Sequence, residues 1–430
     1  MGEALAEAGA LLDPFVGEAP AEGRRTETRP SPPKIGAILP DSGGSLSLSI
    51  ATELGAVEAD WKALEERAAI SPYQRYDLAA AWLRHAAASE RLRARIGVVR
   101  DDTERVVMVL PLGVEHRFGI TVATYLGGSH FNLNLPLCDP HLRLGGIAAA
   151  ALLDVYAKEA GADLFLLRNQ PESWRGMQHP FLSLPHYGAP DDVRLIVIDS
   201  DFDSYLLRQL SRKMRSQLRR KTMRFKDAGI LGATRAATPD EVEQYLTALI
   251  AQKSKRLTSQ GLNDPFALPG VKEFLQEAAL SGLSGEGGLE LRAIARDGQI
   301  LSVRAGVRHG DHHSLMVQSF DTEHALAKYT PGDYLLTEVL LAARMQGVTN
   351  FDFGVGDGRF KQVWSNGLVP MFNIAHGVTR KGRAMATLMQ SKDAAKRYIK
   401  RNPRLFSAVQ DARALNGKLR SLLGLLLMAH

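Results

Sequence analysis

HHSLMVQSFDTEHALAKYTPGDYLLTEVLLAARMQGVTNFDFGVGDGRFKQVW, His312 to Trp364, reads as strand, loop, helix, strand and Gly-rich loop. His313 to Ser319 is a short apolar run centred on Leu315, Met316 and Val317, as a buried strand requires. Pro331-Gly332-Asp333 predicts a helix start, with proline near the first helical position. Leu335, Leu336, Val339, Leu340 and Ala343 then recur on one helix face. Gln346-Gly347 predicts the helix end, and Val348 to Phe353 a second strand with Phe351 and Phe353 on one side and Asp352 on the other. A strand that feeds a helix N-terminus through a tight loop presents unpaired backbone N–H groups to an anion.

Working outward, Val242, Tyr245, Leu249 and Ile250 form a helix face, and Leu291 to Val307 reads as a hairpin turning at Arg296-Asp297. An earlier stretch follows the same plan. Leu54, Val57, Trp61 and Leu64 lie at helical spacing, and Leu78 to Ala88 is a second helical piece. Arg95 to Leu112 is a hairpin turning at Arg100-Asp101, and Ile120 to Leu126 a strand. Leu144 to Ala160 and Ala162 to Arg168 complete that unit as helix and strand. The two turns lie 196 residues apart, so the sequence predicts a duplicated α/β (α+β) unit. The expected parts are an Ala/Gly/Pro/Glu-rich disordered arm over 1–45, a first domain over 46–200, a basic segment over 201–230, a second domain over 231–378 and a basic helical tail over 379–430.

Charge is unevenly placed. Arg380 to Arg420 holds twelve Lys/Arg against Asp393 and Asp411, so the net +6 belongs to the tail and the rest is net acidic. Such a tail predicts either an anionic membrane surface bound through residues 380–430 or a helix packed across the two domains. Arg208 to Lys226 carries nine Lys/Arg, with Arg208, Arg212, Arg215 and Arg219 expected on one helix face. Phe225 is its one aromatic, so base stacking has little support and nucleic acid is disfavoured as a partner. Cys138 is the single cysteine, which excludes an intrachain disulfide and a Cys-based zinc site. No Cys/His ligand pattern or H-E-x-x-H predicts a metal, and no G-x-S-x-G or Walker A motif occurs. Met1 to Phe15 lacks a basic n-region, and no apolar run reaches the ~18–20 residues that span a bilayer, so a cytoplasmic protein is expected.

Tyr329-Thr-Pro-Gly-x-x-Leu-Leu336, Phe351-Asp-Phe-Gly-x-Gly-Asp357, Lys361 and Trp364 resemble, in order and spacing, one acyltransferase family. This is the CelD-like (cellulose-biosynthesis-type) branch of the GNAT superfamily, related in fold to the Fem aminoacyltransferases. Ser211 to Arg220 and Gln252 to Phe266 fit the same pattern, so the resemblance spans roughly residues 205–370. It implies tandem GNAT-like domains, each a mixed twisted sheet flanked by helices, and acyl-CoA as donor for an amine acceptor. It further implies that Leu315, Met316, Val317 and Gln318 bind the pantetheine amides, and that Thr330, Pro331 and Gly332 cradle the pyrophosphate. The loop departs from the usual Q/R-x-x-G-x-G/A pattern, and Asp333 in it would repel phosphate.

Acyl transfer from a thioester to an amine also needs a proton acceptor. Asp352 at a strand end and His130 in the loop Gly127 to Pro140 are the candidates, with Lys361 to hold an anionic acceptor. Lys253 and Arg256, one helix turn apart, form a candidate anion clamp, and Asn132 and Asp357 are further candidate substrate contacts. The expected activity is N-acyl transfer in envelope, exopolysaccharide or lipid metabolism, on a sphingoid-type long-chain amine in the last case. The alternatives are a Fem-like aminoacyl-tRNA-dependent transferase and a non-catalytic accessory protein of polysaccharide biosynthesis.

Overall fold

Each hairpin named above hydrogen-bonds into a larger sheet, and the described residues form three large sheets and a two-stranded ribbon, Ser173–Trp174 with Met177–Gln178. The computed structural model describes Lys34–Ile35 and residues 45–198, 201–285, 287–356, 358–402, 404–405 and 407–409, all within one compact unit. In the first half, strands β1 (Leu46–Ala51), β2 (Ile96–Arg100) and β3 (Val106–Leu110) form an antiparallel sheet. Lys34–Ile35, inside the stretch expected to be disordered, adds a short edge to β1. Pro111 lacks an N–H and breaks the ladder. The chain then enters a second sheet as β4 (Leu112–Arg117) and β5 (Ile120–Tyr125), followed by α3 (Gly146–Ala160) and β6 (Leu164–Pro171). Before them come α1 (Glu58–Glu65) and α2 (Tyr76–His85), whose Trp61 and Trp82 are fully buried. Strands β5 and β6 run parallel, as a crossover through α3 requires.

At the end of this half, β7 (Val193–Val197) leaves for the other sheet. Helices α4 (Phe202–Gln209) and α5 (Arg212–Asp227) follow. The single basic face expected over 208–219 is divided between them. Leu210 is extended and the Ser211 hydroxyl caps α5 by accepting from the Met214 amide at 3.3 Å, so Arg208 belongs to the preceding helix. The second half then runs α6 (Pro239–Ser259), α7 (Val271–Gly282), β8 (Leu289–Arg296), β9 (Gln299–His309), β10 (His312–Phe320), α8 (Pro331–Met345) and β11 (Asn350–Val355). A short helix α9 (Arg359–Trp364), strands β12 (Gly367–Val369) and β13 (Met371–Gly377), and helix α10 (Arg380–Arg401) follow.

The halves exchange strands. Strand β7 of the first half lies between β11 and β12 in the second-half sheet, pairing Ile196 with Phe351 and Arg194 with Leu368. Strand β13, after the second half, pairs with β6 from Met371↔Pro171 to Gly377↔Leu164. One apolar core joins both halves, with Tyr73, Trp82 and Phe131 against Phe274, Leu246 and Val303. Helix α10 packs on β13, burying Ala386 and Asp393, whose carboxylate accepts from Tyr187 at 3.0 Å. Thus residues 380–401 pack on the protein along one face. No helix among the described residues is long and apolar enough to cross a membrane.

Candidate functional site

Strand β10 pairs with β11 only at His312–Ser314 against Asn350–Asp352; beyond that the strands part. On its other edge β10 pairs Val317 with Ala305 and Leu315 with Gly306, which leaves Met316 as a bulge. The edge of β10 over Leu315 to Gln318, four residues that the resemblance assigns to pantetheine binding, therefore has no strand partner on the β11 side. Asn132, from the first-half loop, sits across the opening. Its amide donates to the Tyr73 hydroxyl at 3.0 Å and approaches the Met316 carbonyl at 3.4 Å. Tyr73 donates in turn to the Leu315 carbonyl at 3.2 Å. On the facing strand Gly354 has φ +66, and a Cβ there would lie 2.9 Å from the Asn132 side chain. Only glycine permits this approach.

Under the opening lies Asp352. As its alternation predicts, it faces away from Phe351 and Phe353, but it is sealed rather than open, with 0 % exposure. One carboxylate oxygen accepts from His312 Nε2 at 2.8 Å and from the Ser314 hydroxyl; the other accepts from the Gly354 amide at 2.7 Å. The Trp174 ring packs against His312 at 4.6 Å, tilted by 58°. Asp352 thus ties the last paired residues of β10 to the point where β11 turns away.

At the far end of β10, α8 begins. Thr330 is held at φ 56, and no side chain caps the helix. Asp333, expected to repel phosphate, is neutralised: Lys221 of α5 meets its carboxylate at 2.9 Å and the Thr330 hydroxyl donates to it at 3.0 Å. Beneath this turn Arg304 is 4 % exposed and donates to the Gly332 carbonyl at 3.1 Å. Its Nε and Nη1, and Oε1 of the facing Gln318, are buried without partners among the described residues. Burial lowers the Arg304 pKa and Asp333 opposes that shift. A buried guanidinium with idle donors beside an uncapped helix start is suited to an anion.

The remaining candidates fall in different places. His130 is buried, with Nδ1 accepting from Trp82 at 3.3 Å and Nε2 facing the Pro265 carbonyl at 3.2 Å. Burial favours its neutral form, and its ring joins Trp82 of the first half to the Pro265 carbonyl of the second. Lys361 donates to the Gly354 and Val355 carbonyls at 3.2 and 3.0 Å and holds the strand end. Asp357 lies outside the described residues. Lys253 and Arg256 share the last turns of α6, over the rings of Phe266 and Phe320, at the C-terminal end of β10. Burial, then the Arg256 charge, lowers the Lys253 pKa. Among the described residues no cluster of His, Cys, Asp and Glu could hold a metal.

Sequence reading missed Tyr73, His312, Ser314, Lys221 and Arg304. Arg304 alone carried a signal, as a single charge inside the apolar run Ile300 to Val307. His313, beside the Asp352 cluster, stacks on Phe351 at 4.8 Å, and burial holds it neutral with a pKa of about 4. Its unfolded value is about 6.5. Stability from the neutral ring is therefore complete above pH 6.5 and is lost as pH falls toward 4. Between pH 7 and 5 this residue should cost about 2 kcal/mol. Urea titrations at both pH values check this; a pH dependence unaltered in His313→Phe would refute the assignment.

A family profile described as an acetyltransferase (GNAT) domain matches residues 212–362. A comparison with curated protein sequences gives no match. Among solved structures, that of FemX is similar at 15% identity and a TM-score of 0.50, over 76% of this chain and 96% of that one. L-PGS from Bacillus licheniformis aligns at 13% identity and 0.47, over 79% and 96%. A tandem GNAT protein from the clavulanic acid biosynthesis pathway aligns at 14% identity and 0.44, over 78% and 99%. Residues 212–362 thus match a GNAT acetyltransferase domain, and the chain has a tandem GNAT-like fold.

Proposed function

We propose that the protein is an N-acyltransferase of the CelD-like branch, moving an acyl group from acyl-CoA to an amine at the cleft between β10 and β11. The observation that carries this reading is the parting of the two strands at Ser314 and Asp352, with the Met316 bulge on one side and the α8 turn at the end. Backbone of Leu315 to Gln318 would receive the pantetheine amides. The α8 turn at Thr330 to Gly332, with Arg304 beneath it, would receive the pyrophosphate. The amine nitrogen bonds to the thioester carbon, the C–S bond breaks, and the thiolate leaves with the proton lost by the amine. Asp352 acts as a positioning residue for the strand junction, and Asn132 borders the acyl end. Lys253 and Arg256 are the proposed contacts for an anionic group of the acceptor. An amine of envelope, exopolysaccharide or lipid metabolism remains the proposed acceptor class.

One observation favours a second reading. Helix α5 presents Arg212, Lys213, Arg219, Arg220 and Arg224 to solvent, and its Lys221 is fixed to the first turn of α8. An aminoacyl-tRNA donor could lay phosphates along that face. The cytoplasmic placement stands as a proposal, with a peripheral membrane contact through exposed Leu388 and Tyr398 and the basic residues of α10.

Thermal shifts with acetyl-CoA, palmitoyl-CoA, free CoA and tRNA test the donor. A ligand at a hundred times its Kd stabilises by about 2.7 kcal/mol. CoA species should raise the melting temperature of the parent protein, and Gly332→Glu, where a Cβ meets nothing within 4 Å, should abolish the rise. A response to tRNA alone would replace acyl-CoA by the aminoacyl-tRNA reading.

A further inference from the structure

The first-half sheet is covered unequally on its two faces. Alternation sends Val114 of β4, Ala123 and Tyr125 of β5, and Phe165 and Leu167 of β6 into the core beneath α3. Ile120, Val122, Leu164 and Leu166 lie on the opposite face, with Met385 and Ala386 of α10. Helix α10 packs chiefly over β13 and β6. Beside it, over β4, β5 and β6, a groove of about 550 Å³ stays open. Its wall is one stripe of α10, in which Met385, Leu388, Met389 and Lys392 recur at i, i+3, i+4 and i+7. Its far rim is the tip of the β4–β5 hairpin, where Phe118 is held at φ 54. Two large apolar side chains flank the groove uncovered, Phe118 at 73 % and Leu388 at 57 % exposure.

Charge surrounds this apolar floor. Arg117, Arg168 and Lys392 line the groove against Glu115 alone. Arg168 meets the Asp393 carboxylate at 3.5 Å, which places it at the Lys392 end. Arg117 and Lys392 form no ion pair among the described residues, and Arg117 lies over the Phe118 ring at 5.0 Å. Helix α10 as a whole carries eight Lys/Arg against Asp393. An apolar trough with cationic ends suits a molecule that is apolar along its length and anionic at its head. The chain's own leucine-rich end, Leu415 to Leu427, includes Lys418 and Arg420 and no acid. It would set like charge against this rim, as would the basic α10 of a second copy.

We propose that the groove binds an anionic phospholipid, with an acyl chain along Val122, Leu164 and Leu166 and the phosphate at Lys392 and Arg168. The proposal rests on the peripheral membrane contact proposed for α10, to which it gives a defined site and a second point of contact at Phe118.

Isothermal titration of the full chain with lysophosphatidylglycerol, below its micellar concentration, reads the groove without a bilayer. One equivalent should bind, and lysophosphatidylcholine should bind about tenfold more weakly, lacking the net negative charge. A dodecanoyl chain should bind about tenfold more tightly than a decanoyl chain, since each buried methylene adds to the affinity. Leu388→Glu changes an exposed wall position, so the fold is kept. It should weaken binding about tenfold, whereas Leu388→Met should not. Lys392→Gln should weaken it about fivefold, as for one basic residue near an anionic surface. Cosedimentation with mixed phosphatidylcholine and phosphatidylglycerol vesicles reads the membrane contact separately. Phe118→Asn should weaken that contact without straining the hairpin, because asparagine tolerates positive φ. Vesicle binding by the parent chain with no lysolipid bound, or lysolipid binding unchanged by both Leu388→Glu and Lys392→Gln, would overturn the groove assignment and leave the membrane contact standing. Lysolipid bound as expected, with no vesicle binding, would confirm the groove and sink only the bilayer contact. Lysolipid binding that appears only after Leu423→Asp and Leu426→Asp would assign the groove to the chain's own end. A dimer dispersed by Leu388→Glu would assign it to a second copy.

Discussion

Residues 201–430 expressed alone should fail to form a cooperatively melting monomer, and so should residues 1–198. Each piece lacks a strand that the other carries. The first-half sheet needs β13, whose Met371, Phe372, Ile374 and Ala375 are buried between β6 and the Tyr187–Gly188 edge. The second-half sheet needs β7, whose Val193 and Ile196 fill the space between β11 and β12. A fully buried aliphatic or aromatic side chain contributes about 1.5–3 kcal/mol. Removing two of them with β7, or four with β13, together with their ladder bonds, consumes much of a net stability of about 5–15 kcal/mol. The two pieces produced together should copurify and melt as one, because each then receives its missing strand. Circular dichroism melts and size-exclusion chromatography decide the matter. A soluble 201–430 piece with a sharp melt would mean that β7 is dispensable.

Asp352→Ala should be the most damaging point substitution at the site. It strands the His312 ring, the Ser314 hydroxyl and the Gly354 amide, all buried, and should cost roughly 3–5 kcal/mol in urea denaturation. Asp352→Asn keeps the volume and one acceptor and should cost less than half of that. If the carboxylate positions the strand junction, both variants lose acyl transfer in proportion to the displacement of β10 from β11, and Asn retains measurable turnover. Stability equal to the parent protein in Asp352→Ala, with turnover gone, would instead give the carboxylate direct contact with the reacting atoms.

Local chemistry made much of the second half legible before any tertiary contact was considered. Pro331 starts α8, Gly347 at φ +82 ends it, and Asp297-Gly298, both at positive φ, turn the β8–β9 hairpin. Each is a preference of a residue for a backbone conformation, which neighbours four or fewer positions away decide. The matching hairpin near Arg100-Asp101 made the duplication visible for the same reason. The break at Leu210-Ser211 was equally local, and a serine ahead of a basic run could have revealed it.

The site was legible only as a set of positions. Asn132 and Tyr73 reach β10 from sequence separations of 184 and 242 residues, and no periodicity encodes such a meeting. Asp352 alternated as expected, yet whether it faced a cleft or a seal depended on His312 and Ser314 across the sheet. Asp333 looked hostile to phosphate until Lys221 arrived from α5.

By itself, the sequence determined the order of helices and strands, the repeated plan and the basic helices, because these follow from side-chain period, turn residues and charge within a few positions. Tertiary structure alone decided that β7 and β13 change places, that α10 lies on β13, and that Asp352 is sealed while Arg304 keeps idle donors. Strand edges share the same backbone hydrogen-bonding groups, so partner choice rests on the shape and burial of surfaces that exist only once the whole chain has packed.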